Sequence, residues 1–175
     1  MNHNIETSYV LGEYHLDISE EKTQEYINEI YKITDDSGKK ENSVYSHVLP
    51  TPKISSLRVW EQTSVFNDLL DTFIHYSNYY SIETQNVTIQ DCWAVLYEKG
   101  NYSIEHAHLG TPTPLSFVFY VQNEKASPIE FVHGNKMIYP KTNTLLLFPP
   151  WVKHKVPPLE DEKHRIVLAG NFMKK

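Results

Sequence analysis

The sequence predicts a mainly β protein with supporting helices, an α+β chain whose C-terminal half is a barrel or sandwich. Apolar residues recur at helical spacing twice in the first half of the 175-residue chain. From Val87 onward the pattern changes to short runs rich in β-branched and aromatic residues, parted by Gly, Pro and Asn. Hydrophobic residues make up 40% of the chain, enough for a sizeable core, and 13% are aromatic, which suits half-buried sheets and pocket walls. The length suits a single domain over 1–175, with 1–86 as helical or irregular support and 87–175 as the sheet-rich core.

Taken in order, Met1 to Glu6 is polar and lacks the apolar centre of a signal peptide. Ser19 is placed to cap a helix whose first turn carries Glu20 and Glu21, the sign the helix dipole favours there. Tyr26, Ile27, Ile30, Tyr31 and Ile33 give that helix an apolar stripe. Asp35 to Ser43 reads as a polar loop broken at Gly38. Thr63 or Ser64 is expected to cap a second helix, with Phe66, Leu69, Leu70, Phe73 and Ile74 on one face. Both stripes are expected to pack against a sheet. Strands are expected over 87–98, 102–108, 115–122, 129–132, 136–139, 144–148 and 164–172. Thr142-Asn143 supplies a turn before Thr144, because Asn tolerates a left-handed backbone.

The formal net charge of −6 argues against nucleic acid as a partner, since phosphate binding needs clustered Lys and Arg. The charged runs at Lys39-Lys40-Glu41 and 160–165 read as solvated loops. One cysteine, Cys92, allows no intrachain disulfide and fits a reducing compartment. Its apolar neighbours make it a small buried hydrophobe rather than a nucleophile. No apolar run reaches the length of a membrane span, so a soluble cytoplasmic protein is expected.

Of the nine histidines, His3, His47 and His75 read as structural or exposed. His106 and His108 are two apart on a predicted strand, so both leave one face and supply half of a metal site. The competing reading is the polar face of a surface strand. His154 follows Phe148-Pro149-Pro150-Trp151-Val152-Lys153, a stiff segment that would hold its ring in one orientation. Neutral imidazole suits Fe, Zn, Cu and Ni. The set therefore accommodates a zinc site, a three-histidine iron site, or two iron ligands with a neighbour. Arg165 opens the last apolar strand, where a buried guanidinium needs an anionic partner and its planar fork suits a carboxylate. The alternative for Arg165 is a strand-end surface salt bridge.

In this order, these residues resemble the prolyl-hydroxylase-like 2-oxoglutarate/Fe(II) oxygenases. Tyr97-Glu98-Lys99-Gly100, five residues and His106-Ala107-His108 is similar to the family's Tyr-x-x-Gly, five residues, His-x-Asp. Leu115 to Val121, Ser127 to Phe131 and Pro140 to Pro149 look like the next core strands. The likeness is closer to a branch of small bacterial and phage proteins with His-x-His, Leu-Ser-x-x-x-Tyr, Phe-Pro-x-Trp-x-x-His and then Arg leading to Asn. Those are His106 to His108, Leu115 to Tyr120, Phe148 to His154 and Arg165 to Asn171 here, so the resemblance runs from Asp91 to Phe172. Two positions depart from the family pattern: His108 stands where an acidic ligand is usual, and Asn143 where a glycine is usual.

The resemblance implies a double-stranded β-helix of jelly-roll type holding one Fe(II). His106 and His154 would be ligands, with His108 a third ligand or a neighbour. It implies 2-oxoglutarate and O2 as cosubstrates, Arg165 on the far carboxylate, and Tyr97, Ser116 and Tyr120 as further contacts to 2-oxoglutarate. The implied activity is hydroxylation of an amino acid, peptide or small metabolite. Trp93 is read as core, and Trp151 as either pocket or core. One rival is a cupin-type three-histidine dioxygenase, although 109–114 lacks the glutamate of that pattern. Another is a non-catalytic ligand-binding module. Nucleic-acid demethylation is disfavoured by the charge.

Overall fold

The computed structural model of the protein describes residues 9–36, 52–108 and 113–175. Met1 to Glu6, His3, His47, the Lys39 to Glu41 run and the expected loop from position 37 onward lie outside the described residues. The elements are β1 (Gly12–His15), α1 (Glu20–Asp36), β2 (Lys53–Ile54), α2 (Asn67–Tyr80), β3 (Val87–Tyr97), β4 (Ser103–His106), β5 (Ser116–Gln122), β6 (Ile129–Phe131), β7 (Lys136–Ile138), β8 (Thr144–Phe148), β9 (His154–Val156) and β10 (Arg165–Lys174). Among the described residues no helix is long and apolar enough to cross a membrane.

β3 to β10 pass back and forth between two antiparallel sheets, in the orders β1-β8-β5-β10-β3-β2 and β4-β9-β6-β7. This is the double-stranded β-helix. The larger sheet is buried on both faces. Phe117, Phe119, Val121, Ile166, Leu168 and Phe172 turn toward the helices, while Val118, Tyr120, Val167 and Ala169 turn toward the smaller sheet. Burial on both faces is why β5, β8 and β10 read as near-continuous apolar runs. α1 contributes Tyr26, Ile27, Ile30 and Ile33 to the outer core, and α2 contributes Leu69, Leu70 and Phe73. The Phe73 ring lies 5.1 Å from Phe117 and 5.2 Å from Phe119. Cys92 is buried in the same core, and burial pushes its thiol pKa well up, so it stays an unreactive thiol.

The two helix starts differ. Ser19 caps α1 as expected, its Oγ accepting from the Lys22 amide at 3.2 Å. α2 begins later than its polar signal suggests. Thr63 Oγ1 accepts from the Val65 amide within the preceding turn, and Phe66 occupies the N-cap with no side-chain bond. The Phe66 ring is fully buried, so packing and not capping sets that start. Asn143 has φ 62°, the expected left-handed turn, and its side chain bonds Thr23 at the start of α1 at 3.1 Å. β1, β2 and β9 were not expected. They are two to four residues long and exist as strands through their pairing with β8, β3, and β4 with β6 respectively.

Candidate metal centre

The site lies between the two sheets, where β4 and β9 meet. Gly100, with φ 84°, turns the chain from β3 toward β4. His106 closes β4 and sits directly opposite His154 at the start of β9. The strand expected to carry both members of the His-x-His pair stops at His106. His108 lies two residues past it, because its amide leaves the sheet to donate to Pro150 O at 2.8 Å. The imidazoles still converge. Ring centroids are 4.3 Å apart for His106 and His154, 5.3 Å for His108 and His154, and 5.6 Å for the stacked His106 and His108. One ring nitrogen from each of the three lies within 4.8 Å of the other two.

Hydrogen bonds orient the rings. His106 Nδ1 meets Ile104 O at 2.8 Å and His154 Nδ1 meets Val152 O at 3.0 Å. A carbonyl only accepts, so each Nδ1 carries its proton and each Nε2 keeps a free lone pair. His108 Nδ1 lies 2.5 Å from Asn171 Oδ1 and 3.2 Å from Ser116 Oγ. Phe148 and Phe131 wall in His154, which is 3% exposed. Burial pushes all three imidazole pKa values down, His154 furthest, where His106 adds to the effect. The cluster is therefore neutral at ordinary pH, the form in which imidazole binds a metal. Three convergent neutral imidazole donors fit a divalent iron or zinc ion.

A cavity runs from the histidines between the sheets, walled by Val95, Val118, Ile129, Val156, Val167 and Ala169. Arg165 and Tyr97 also line it. Arg165 is 2% exposed. Its Nη1 donates to Pro128 O at 2.9 Å and its Nη2 to the Tyr120 hydroxyl at 3.1 Å. The guanidinium lies over the Tyr97 and Tyr120 rings, at 5.2 and 5.0 Å. Its Nε has no partner, and no carboxylate among the described residues pairs with it. Tyr120 supplies no negative charge, because burial raises its hydroxyl to about 12 even against Arg165. A buried cation held only by neutral groups is costly and fits a ligand that brings an anion.

Of the residues expected from the sequence, His106, His108, His154, Arg165 and Tyr97 come together on one cavity. Tyr120 reaches it through Arg165. Ser116 stands behind His108, its Oγ donating to Asn171 Oδ1 at 2.7 Å. Trp93 is not simply core. It lines the cavity 6.2 Å from the His108 ring, with a buried Nε1 that has no partner among the described residues. Trp151 is 39% exposed and packs edge-on against Tyr9 and His133, away from the cavity wall. Asp91 was given no role from the sequence, and Asn171 stood only as the end of the Arg-to-Asn motif, yet Asn171 Nδ2 donates to Asp91 Oδ1 at 2.7 Å beside His108. Strand alternation back from Tyr97 was the available signal, since 97, 95, 93 and 91 share a face.

No protein-family model matches the sequence, and no curated protein matches it. Solved structures do match in shape. A viral collagen prolyl hydroxylase from Paramecium Bursaria Chlorella virus-1, in complex with 2OG, is 13% identical with a TM-score of 0.69, covering 94% of this chain and 96% of that one. A prolyl-4-hydroxylase from Pseudomonas putida is 14% identical with a TM-score of 0.69, covering 96% and 94%. HygX from Streptomyces hygroscopicus, with nickel and 2-oxoglutarate bound, is 9% identical with a TM-score of 0.69, covering 94% and 83%. At such identities the likeness fixes the fold, and the chemistry must be read from the side chains.

Proposed function

We propose that this protein is a 2-oxoglutarate-dependent non-haem iron oxygenase, in which His106, His108 and His154 hold one Fe(II) and Arg165 anchors 2-oxoglutarate. The observation that carries this reading is the pairing of two features across one apolar cavity. At one end stand three neutral imidazoles; at the other stands a buried guanidinium with no carboxylate partner among the described residues. A dicarboxylate that chelates a metal through one end and presents a carboxylate at the other answers both. The solved structures of similar shape that contain 2-oxoglutarate, with nickel in HygX, support the same pairing of ligands.

Arg165 would meet the far carboxylate with its charge and its Nε–H, which has no partner among the described residues, a charge-assisted contact strengthened by burial. Tyr120 and the Pro128 carbonyl hold the guanidinium in place, and Tyr97 stacks beneath it. Trp93 offers an N–H donor on the histidine side of the cavity. Val95, Val118, Val156 and Val167 give the space between an apolar wall. Iron with 2-oxoglutarate and O2 would supply oxidation of an unactivated C–H bond, one oxygen atom going to the substrate and the other to the succinate formed with release of CO2. We take hydroxylation of an amino acid, peptide or small metabolite as the finer reading. His108 in place of an acid favours one rival, a three-histidine dioxygenase that needs no cosubstrate; in that enzyme Arg165 would have no anion to meet.

The test is anaerobic loading with Fe(II), followed by 2-oxoglutarate binding and by succinate formation from labelled 2-oxoglutarate in air, with His154→Ala as the blank. Binding with slow succinate release is expected even without the true substrate. If 2-oxoglutarate neither binds nor yields succinate above the blank, the three-histidine dioxygenase replaces this reading.

A further inference from the structure

We propose that Asp91, Asn171 and Ser116 form a hydrogen-bonded relay that fixes His108 as its Nδ1–H tautomer and so arms its Nε2 as the third metal ligand, where a carboxylate would otherwise stand. The metal half of this inference rests on the reading above; the tautomer half does not. The relay is built across three neighbouring strands. Asn171 on β10 lies directly opposite Asp91 on β3 and Ser116 on β5. Residues opposite each other on paired strands leave the same face, so three polar groups meet beside His108. Asn171 and Ser116 are 7% and 0% exposed. Asn171 Oδ1 lies 2.5 Å from His108 Nδ1 and 2.7 Å from Ser116 Oγ, and Asn171 Nδ2 lies 2.7 Å from Asp91 Oδ1.

The direction of the chain follows from which groups can donate. Burial raises the Asp91 carboxyl above its ordinary value, while hydrogen bonds from Asn171 oppose the rise and favour the ionised form; that carboxylate only accepts, so Asn171 turns its NH2 to Asp91 and its carbonyl to His108 and Ser116. A flipped amide would set two acceptors face to face at Asp91. Ser116 donates to the same carbonyl and reinforces that orientation. The carbonyl oxygen can only accept, so His108 Nδ1 carries the proton and Nε2 is left bare. His106 and His154 take the same tautomer from backbone carbonyls, which cannot flip. His108 takes it from side chains, and their order depends on Asp91. Asp91 is thus a positioning residue that acts on the histidine through one amide.

The test uses the metal-free protein with 15N-labelled histidine, because ring-nitrogen shifts separate the two neutral tautomers. Wild type is expected to show Nδ1–H at all three histidines. Asp91→Asn keeps the volume but lets the amide at 171 flip, so His108 should move toward Nε2–H while His106 and His154 stay put. The swap Asp91→Asn with Asn171→Asp restores an acceptor facing His108 and should return it to Nδ1–H. Co(II) titration of the same proteins should show Asp91→Asn weaker by about 10–100-fold, the usual loss when an outer-shell partner of a ligating histidine is removed, with recovery in the swap. A wild-type His108 in the Nε2–H form, or one unmoved by Asp91→Asn, overturns the relay. A moved tautomer with equal Co(II) affinity also overturns the inference, because His108 is then not a ligand. If tautomers and Co(II) behave as expected but 2-oxoglutarate does not bind, the relay stands and the oxygenase reading fails.

Discussion

Arg165 is the residue on which the functional reading turns. Its guanidinium is buried, stacked on Tyr97 and Tyr120, and pairs with no carboxylate among the described residues. Arg165→Ala is expected to weaken 2-oxoglutarate binding by more than about tenfold, since losing one side of a buried charge pair costs about 2–5 kcal/mol. Iron affinity should stay nearly intact, which calorimetry on the Fe(II)-loaded protein would show. Arg165→Lys should recover part of the affinity, because the charge remains and the fork is lost. Equal binding by all three proteins would remove Arg165 from the site. His106→Ala and His154→Ala should do the reverse, losing at least about tenfold in iron affinity under anaerobic loading, as removing even an outer-shell partner costs 10–100-fold.

At the scale of elements, β10 is the central member of the site. It carries Arg165 at one end and Asn171 near the other, and it pairs with β3 and β5 along its length. Gly170 permits that closeness. A Cβ there would lie 2.3 Å from Asp91 O and 2.5 Å from the Phe117 ring. Gly170→Ala should therefore destabilise the fold by about 1–3 kcal/mol or more through overpacking. Urea unfolding should show a lower midpoint with an unchanged slope. An unshifted midpoint would mean β3 and β10 can separate without loss. At α1, Ser19→Ala should cost about 1 kcal/mol, the usual value of an N-cap, and a change of a few tenths or less would show that the Lys22 amide finds water instead.

For the whole molecule, the helices hold the outer face of the larger sheet while the candidate site sits on its inner face. Phe73→Ala removes a fully buried ring from the outer face and should cost about 3–5 kcal/mol of stability. Co(II) affinity measured below the unfolding transition should be unchanged, because the cavity is on the other side of the sheet. A parallel fall in affinity would show that the two faces are coupled. Alkaline pH probes buried tyrosines on both faces, since burial raises Tyr80, packed against the outer core, to about 12 as well. Tyr120 ionises near 12 in the folded protein, above its ordinary value of 10, because burial disfavours the phenolate. A group raised on folding stabilises fully below its unfolded pKa, so stability should hold to about pH 10 and fall as pH rises through about 12. Tyr120→Phe should lessen that alkaline loss.

Much of the fold was legible because local patterns agreed with it. Helical spacing marked α1 and α2, and the long apolar runs marked β3, β5, β8 and β10, since strands buried on both faces cannot hide their composition. His106, His108, His154 and Arg165 stood out in the sequence too, because residue types that are costly to bury announce a partner, and the fold brings all four to one cavity. Asn143 disclosed its turn through its tolerance of positive φ. Only the tertiary structure made β1, β2 and β9 strands, as such short segments gain their hydrogen bonds from neighbours and not from their own sequence. Only it separated Trp93 from Trp151, since which ring faces a cavity depends on where a strand lies and not on the ring. Asp91, Asn171 and Ser116 are 80 and 55 residues apart along the chain, counted from Asn171. Each is an ordinary polar residue alone, and it is the register of three paired strands that brings them to one histidine.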